Sequence, residues 1–318
     1  MRVTLINPLG GALAHYAASL AAVLTDSGVV VEPVAFDEPS SAGTGRVHWV
    51  MKYLQTLLSI RSRHQTDVIL IMWPVLGFWD FPVTRAILRR HTIHIVLHDP
   101  RPLVRASGYG RLARRIASLR WCRSTAVVHS AAAGATLSVD APRITALLVP
   151  HPMVKPVENV MRRSPTVTVR VLGQYKADRD VAALQRLATE VPHGWQLEIV
   201  GRGWNPVPGW HTHNRFALER ELADLITSSS VVVIPYRRFF QSGVAVRCLE
   251  LGVPIAGPRQ SSLGALVGED CSWLVSGDDW LTAIMSAVAT EPAAVCQVAE
   301  AAYHRAELGW RAWVATIG

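Results

Sequence analysis

Residues 230–257 read SVVVIPYRRFFQSGVAVRCLELGVPIAG. The apolar run Val231–Ile234 has no polar alternation, which is the pattern of a strand covered on both faces. A loop carrying Ser242-Gly243 follows, then a segment with helical apolar spacing. Gly252-Val253-Pro254 stops that helix and leads into PIAG, a further strand. Parallel neighbours need a crossover of this kind, so the stretch predicts one unit of a parallel sheet. The loop also stands where a helix begins. The first amides of a helix have no partner within it, so they form a ready anion site.

The same order recurs on both sides. RVTLINP, VVVEPVAF, DVILIMWP, IHIVLHD and STAVVHS read as strands of the first half, with GALAHYAASLAAVLTDSG, VHWVMKYLQTLLSIRSRH and YGRLARRIASLRWC as helices. The segment APRITALLVPHPMVKPVENVMRRSPTVTVR holds five prolines and ends the pattern, and a linker is expected near Pro152–Ser164. Strands VTVRVLG, WQLEIVG, SVVVIPY, PIAG and CSWLV then alternate with helices to the end. The expectation is an α/β chain of two Rossmann-like, doubly wound parallel-sheet domains facing a cleft at the carboxyl ends of their strands. Their expected limits are 1–155 and 164–300. A closing helix over 301–318 is expected to cross back to the first domain through Trp310 and Trp313.

Composition narrows the class. The chain has 318 residues, half of them hydrophobic and 18% charged, which suits a large core. Cys122, Cys248, Cys271 and Cys296 form no CxxC pair, so neither a disulfide framework nor structural zinc is expected, and a reducing cytoplasm fits. MRVTLINPLGG is too short an apolar start for a signal peptide, and Val68–Trp79 is too short to span a bilayer. Net charge is +8, carried by arginine beside only three lysines. A basic surface attracts phosphates, nucleic acid or anionic lipid. No basic tail, zinc finger or RNA-binding aromatic motif accompanies it, so nucleic acid is not expected.

Several strand ends carry candidate chemistry. NPLGGALAH lacks G-x-G-x-x-G. Gly10 and Gly11 allow close approach of a phosphate or sugar, or simply make a tight turn. VLGQYKADRDVAAL and LEIVGRGW each end a strand and open a loop. Taken with residues 230–257 and SSLGALVGEDCSWLV, this order of motifs resembles the retaining GT-B glycosyltransferases of the large bacterial mannosyl- and glucosyltransferase family, the family 4-like group. The resemblance covers nearly the whole chain and is strongest from Val169 to Leu281. That family has G-R-x-x-x-x-K-G-x-x-x-L after the first strand of its second domain. Gly173 and Leu184 match its ends, while Gln174, Arg179 and Asp180 replace the Arg, the Lys and the second Gly. Arg179, with Lys176 nearby, would meet the donor diphosphate, whose charge grows in the transition state. The alternative for Arg179 is a solvated charge at a helix start.

The family's E-x7-E falls on Phe239 and Arg247, so the chain resembles a branch without those glutamates. Backbone donors do not depend on side chains, and Gln241, Ser242, Gly243, Val244 and Ala245 would still hold phosphates. Arg247 can donate to a ribose or phosphate but cannot accept. Glu250 either reaches the ribose or pairs with Arg247. His98 and Asp99, in IVLHDPRP, stand where the family has a histidine near donor sugar and acceptor, and are the expected catalytic pair. His129 and His151 are expected to be structural. GWHTHNRF corresponds to the nucleobase region, with Trp210, His213, Asn214 and Phe216 as candidates. GFWDF (Gly77–Phe81) would stack on an acceptor sugar, touch lipid, or pack in the core.

The resemblance implies a metal-independent hexosyltransferase without a bound cofactor. Its substrate would be a nucleotide-diphosphate sugar, GDP-mannose first and a UDP-sugar second. The acceptor would be an oligosaccharide, glycolipid or small molecule. Peripheral contact with an anionic inner membrane face is a further expectation. The alternative is a non-catalytic GT-B subunit that binds nucleotide or glycan.

Overall fold

The computed structural model describes residues 1–39, 43, 45–62, 67–104, 106–122, 125–157 and 166–317. Residues 158–164 of the expected linker lie outside them. The chain forms two compact units, Met1–Pro152 with Ala306–Gly318, and Met153–Arg305.

The first unit runs β1 (Arg2–Asn7), α1 (Ala14–Asp26), β2 (Val30–Ala35), α2 (Arg46–Arg61), β3 (Val68–Ile71), α3 (Asp80–Ile87), β4 (Thr92–Val96), α4 (Arg111–Ala117), β5 (Thr125–Val128), α5 (Ala131–Asp140) and β6 (Thr145–Leu148). Every pairing is parallel, in the order β2-β1-β3-β4-β5-β6. Val68–Ile71 is buried throughout, as a strand with helices on both faces must be. β6 falls inside the segment read as a break. It is an edge strand with three exposed residues of four, so it lacks the apolar run that marks a central strand.

The second unit runs β7 (Thr168–Leu172), α6 (Val181–Glu190), β8 (Gln196–Val200), β9 (His211–His213), α7 (Glu219–Thr227), β10 (Val231–Val233), α8 (Gly243–Glu250), β11 (Ile255–Pro258), α9 (Leu263–Val267), β12 (Leu274–Val275), α10 (Trp280–Ala289) and α11 (Pro292–Ile317). Its sheet is also parallel, ordered β12-β11-β10-β7-β8-β9. β9 lies within the segment read as a nucleobase loop. It too is a short, solvated edge strand.

The unit boundary falls at Met153 and not at 155 for a local reason. Val154 N donates to Glu250 Oε1 at 2.9 Å, and Val157 N to the Glu250 carbonyl at 2.9 Å. The last turns of α11, from Ala306, belong to the first unit. Trp310 and Trp313 are buried there in one apolar cluster with Val3, Leu5, Leu70 and Val127. Trp310 Nε1 donates to Pro150 O at 3.0 Å, and Trp313 Nε1 to His94 Nδ1 at 3.3 Å. Burial lowers His94 to about 4, so its ring is neutral and can accept.

Strand order reverses between β1 and β3 in one unit and between β7 and β10 in the other. Helices that leave two such strands go to opposite faces of the sheet. A crevice therefore opens outside their carboxyl ends, the usual place for a ligand.

Candidate functional site

At the β7/β10 reversal, two loops are tied together. Asp180 N donates to Pro235 O at 2.7 Å and Arg237 N to Asp178 O at 2.9 Å. Arg179 sits between these bonds and is only 4% exposed. Its Nη2 donates to Leu172 O at 2.9 Å. Its guanidinium lies 4.0 Å from the centre of the Tyr236 ring and 5.5 Å from that of Trp204. Nε and Nη1 have no hydrogen-bond partner, and no ion pair reaches Arg179 among the described residues. Burial lowers its pKa, opposed by the neighbouring Tyr236 hydroxyl, a phenol that meets the guanidinium but brings no anionic charge at neutral pH. Arg179 is thus not the solvated charge of the alternative reading. A buried cation with two idle donors is costly unless an anion meets it. The aromatic box offsets part of that cost.

Gly173 brings Arg179 to α8. A Cβ on Gly173 would stand 3.4 Å from Arg179 Nη2 and 4.0 Å from Val244 Cγ2. Ser242 is the N-cap of α8, and its side chain accepts from Ala245 N at 3.2 Å. Of the candidate amides, that of Ala245 is therefore already engaged. Gly243 is exposed, and a Cβ there would meet nothing within 4 Å. Gln241 and Val244 are half-buried beside it, Gln174 is exposed, and Lys176 is half-buried on the same loop as Arg179.

Other candidates are placed differently. Glu250 is buried, with Oε1 accepting from Val154 N at 2.9 Å and Oε2 3.3 Å from Arg247 Nη1. Arg247 Nε also lies 3.4 Å from Glu219 Oε1. Glu250 makes the helix pair with Arg247. It anchors the start of the unit, because a buried carboxylate takes the partners the chain brings to it. Trp210 is a core residue whose Nε1 donates to Leu184 O at 2.8 Å, so its ring is closed to a base. Asn214 Oδ1 accepts from Gly203 N at 2.8 Å, His213 ends β9, and exposed Phe216 has the Arg202 guanidinium 5.0 Å from its ring centre.

In the first unit, His98 follows β4 and is buried. Its Nε2 donates to Met72 O at 2.9 Å, and its ring stacks on Trp73 with centroids 5.3 Å apart. Asp99 beside it is half-buried. Tyr16 lies edge-on to His98 at 4.9 Å. His129 Nδ1 donates to Val149 O at 2.8 Å, which leaves Nε2 to accept from Tyr16 Oη at 3.0 Å. Burial, then the neighbouring His151 and His98, lowers the His129 pKa. Burial lowers His151 to about 3. Gly10 has a φ of 50°, and a Cβ there would collide with Asp37, so the turn itself requires glycine. Gly11 is exposed, with open space around it.

Sequence reasoning passed over Trp204 and Tyr236, the walls of the Arg179 box. The available signal was position: each closely follows a central strand of the second unit, where ligand-facing residues concentrate.

No family model matches the chain, and no curated protein matches it. Solved structures match it over almost its whole length. A sucrose-phosphate synthase from Thermosynechococcus elongatus superposes with a TM-score of 0.66 at 13% identity, over 100% of this chain and 97% of that one. The α,α-trehalose-phosphate synthase (UDP-forming) from Burkholderia xenovorans, in complex with glucose-6-phosphate, gives 0.62 at 11% identity, over 99% of each chain. HepE from Anabaena, in complex with UDP-glucose, gives 0.59 at 14% identity, over 100% of this chain and 97% of that one.

The chain has the GT-B fold.

Identities this low show the fold alone. Activity has to be argued from the site. Within this GT-B chain, the second unit brings Gly173, Arg179, Val244 and the start of α8 together, while Val154 and Arg247 hold Glu250 and Leu184 holds the Trp210 indole.

Proposed function

We propose that the chain is a glycosyltransferase that moves a hexose from a nucleoside-diphosphate sugar to a hydroxyl acceptor. The observation that carries this reading is Arg179, buried in an aromatic box with two unpartnered donors beside the exposed start of α8. A diphosphate supplies the missing acceptors. In the reaction, the bond from the anomeric carbon to the diphosphate oxygen breaks as the acceptor oxygen bonds to that carbon. Charge grows on the leaving oxygen, where Arg179, Lys176 and the amides of Gly243 and Val244 stabilise it. Retention, by same-face attack with the acceptor proton passing to the leaving phosphate, follows the family resemblance, as do metal independence and the roles of His98 and Asp99 toward the acceptor. Nothing in the comparisons supports GDP-mannose. The donor complex among the matched structures reported above holds UDP-glucose, so a UDP-sugar is now the first choice.

One observation favours a second reading, a GT-B protein that binds nucleotide or glycan without transfer. Phe239 and Arg247 stand at the glutamate positions, and Glu250 is committed within the chain.

Melting curves with UDP, GDP and ADP test the proposal. A nucleotide at one hundred times its Kd adds about 2.7 kcal/mol of stability, and UDP is expected to raise Tm most. Arg179→Ala should weaken UDP binding about tenfold or more, because charge-assisted hydrogen bonds contribute roughly 1.5–3 kcal/mol. Unchanged UDP affinity in a folded Arg179→Ala variant sinks the diphosphate assignment. Release of UDP from UDP-glucose in the presence of an acceptor mixture separates transfer from binding alone.

A further inference from the structure

A second feature lies at the other strand reversal. The first unit holds a pocket of about 550 Å³ whose lining includes Arg46, Trp49, Val50, Trp79, Val83 and Gly108. Its walls come from α2, from the loop after β3 with α3, and from the Ser107–Gly108 turn. The site is built and not a gap in loose packing. Gly108 has a φ of 83°, and a Cβ there would stand 1.9 Å from Leu76 O. Phe78 N donates to Gly108 O at 2.9 Å, which locks the two loops together. The GFWDF motif divides accordingly. Phe78 and Phe81 are wholly buried in the core, and half-buried Trp79 faces the pocket.

The lining chemistry is one-sided. Among the described residues, six of the nine that line it are tryptophan, valine or leucine, and Arg46 is the only charged one. The Trp49 indole N–H is spent on Pro8 O at 2.7 Å, so Trp49 offers the pocket an apolar ring. That bond also seats the pocket against the loop after β1, which carries Gly10 and Gly11. A free sugar phosphate finds few hydrogen-bond partners here. An apolar group of ordinary ligand size fills such a volume and leaves the water.

We propose that this pocket takes the apolar group of the acceptor, and that the acceptor is a hydroxylated amphiphile whose polar head meets Arg46 at the rim. This rests on the glycosyltransferase reading above and names its substrate class.

The probe is octyl β-D-glucoside below its micelle concentration, with D-glucose and glucose 6-phosphate as controls, followed by calorimetry and by tryptophan fluorescence, to which Trp49 and Trp79 contribute among eleven tryptophans. One equivalent should bind, with a spectral shift, while the two controls at the same concentration should not. Val83→Trp fills the pocket and should weaken octyl glucoside at least tenfold with UDP affinity unchanged. Val50→Trp fills it from α2 and serves if Val83→Trp does not fold. Octyl glucoside binding no better than glucose, or binding equally well to a folded filled variant, overturns the proposal. The two readings fail separately. UDP binding without octyl glucoside binding removes the amphiphile and keeps the transferase. Octyl glucoside binding without UDP binding keeps an apolar-ligand pocket and removes the acceptor role.

Discussion

At the scale of one residue, Asp80 is the most exposed to test. It is wholly buried at the start of α3. Its Oδ2 accepts from Leu76 N at 2.7 Å, and the Tyr53 hydroxyl and the Val75 amide lie beside the carboxylate. Burial raises its carboxyl to about 7, against the opposing Leu76 amide, the Tyr53 hydroxyl and the Val75 amide. Tyr53 and Tyr109 face it, and both hydroxyls are raised, first by burial and then by the Asp80 charge. In the unfolded chain an aspartate titrates near 4. The folded state therefore holds this proton more tightly. Stability from this group is fully present below about pH 4 and is lost as pH rises to about 7. Asp80→Asn keeps an acceptor for Leu76 and cannot ionise. It should be more stable than the parent at pH 8 by on the order of a few kcal/mol, and nearly equal to it at pH 4. Urea unfolding at both pH values measures this. A gap that does not widen from pH 4 to pH 8 would mean that the carboxyl stays ionised in the fold.

At the scale of an element, α8 separates capping from ligand binding. Ser242 uses its hydroxyl on Ala245 N, so Ser242→Ala removes a cap and should lower stability by about 1 kcal/mol. Transfer by the folded variant should change little. Gly243 has no structural need for glycine, because its Cβ position is open and its backbone is not left-handed. Gly243→Val should fold with a Tm close to the parent. If α8 holds a diphosphate, it should lose UDP binding and turnover, since its side chain stands where the ligand approaches. Full activity in that variant takes α8 out of the site.

At the scale of the whole molecule, the net charge is +8, and α4 with the turn after it carries several of the described arginines. Arg101 and Arg114 are paired with Asp140. Arg111, Arg115 and Arg120 are exposed, beside Leu112 at 64% exposure and Trp121 at 51%. Apolar and cationic side chains together suit an anionic lipid surface, to which each arginine contributes roughly 1 kcal/mol. Among the described residues no single helix is long and apolar enough to cross a membrane. We propose peripheral contact through this patch. The protein should float with vesicles containing phosphatidylglycerol and be released by 0.5 M salt, at about which electrostatic attraction is largely screened. Arg111, Arg115 and Arg120 changed together to glutamate should stay in the soluble fraction. Equal flotation of that variant assigns the charge to solubility.

The sequence by itself determined the parallel sheets, because strands such as Val68–Ile71 and Val231–Val233 are buried on both faces and so carry unbroken apolar runs. It also marked the Ser242-Gly243 start of α8, since helix starts leave local signals, while Arg179 was marked by resemblance to a family motif. Edge strands β6 and β9 escaped, because solvated strands need few apolar residues. What the side chains do was decided only by tertiary contact. Glu250 could equally have faced a ribose until Val154 and Arg247 were brought to it, and Trp210 a base until Leu184 claimed its indole. The box around Arg179 joins residues 179, 204 and 236, and the apolar pocket joins α2 to residues 75–83 and 107–108. Such groupings depend on which loops a strand order places side by side, and no local periodicity encodes that.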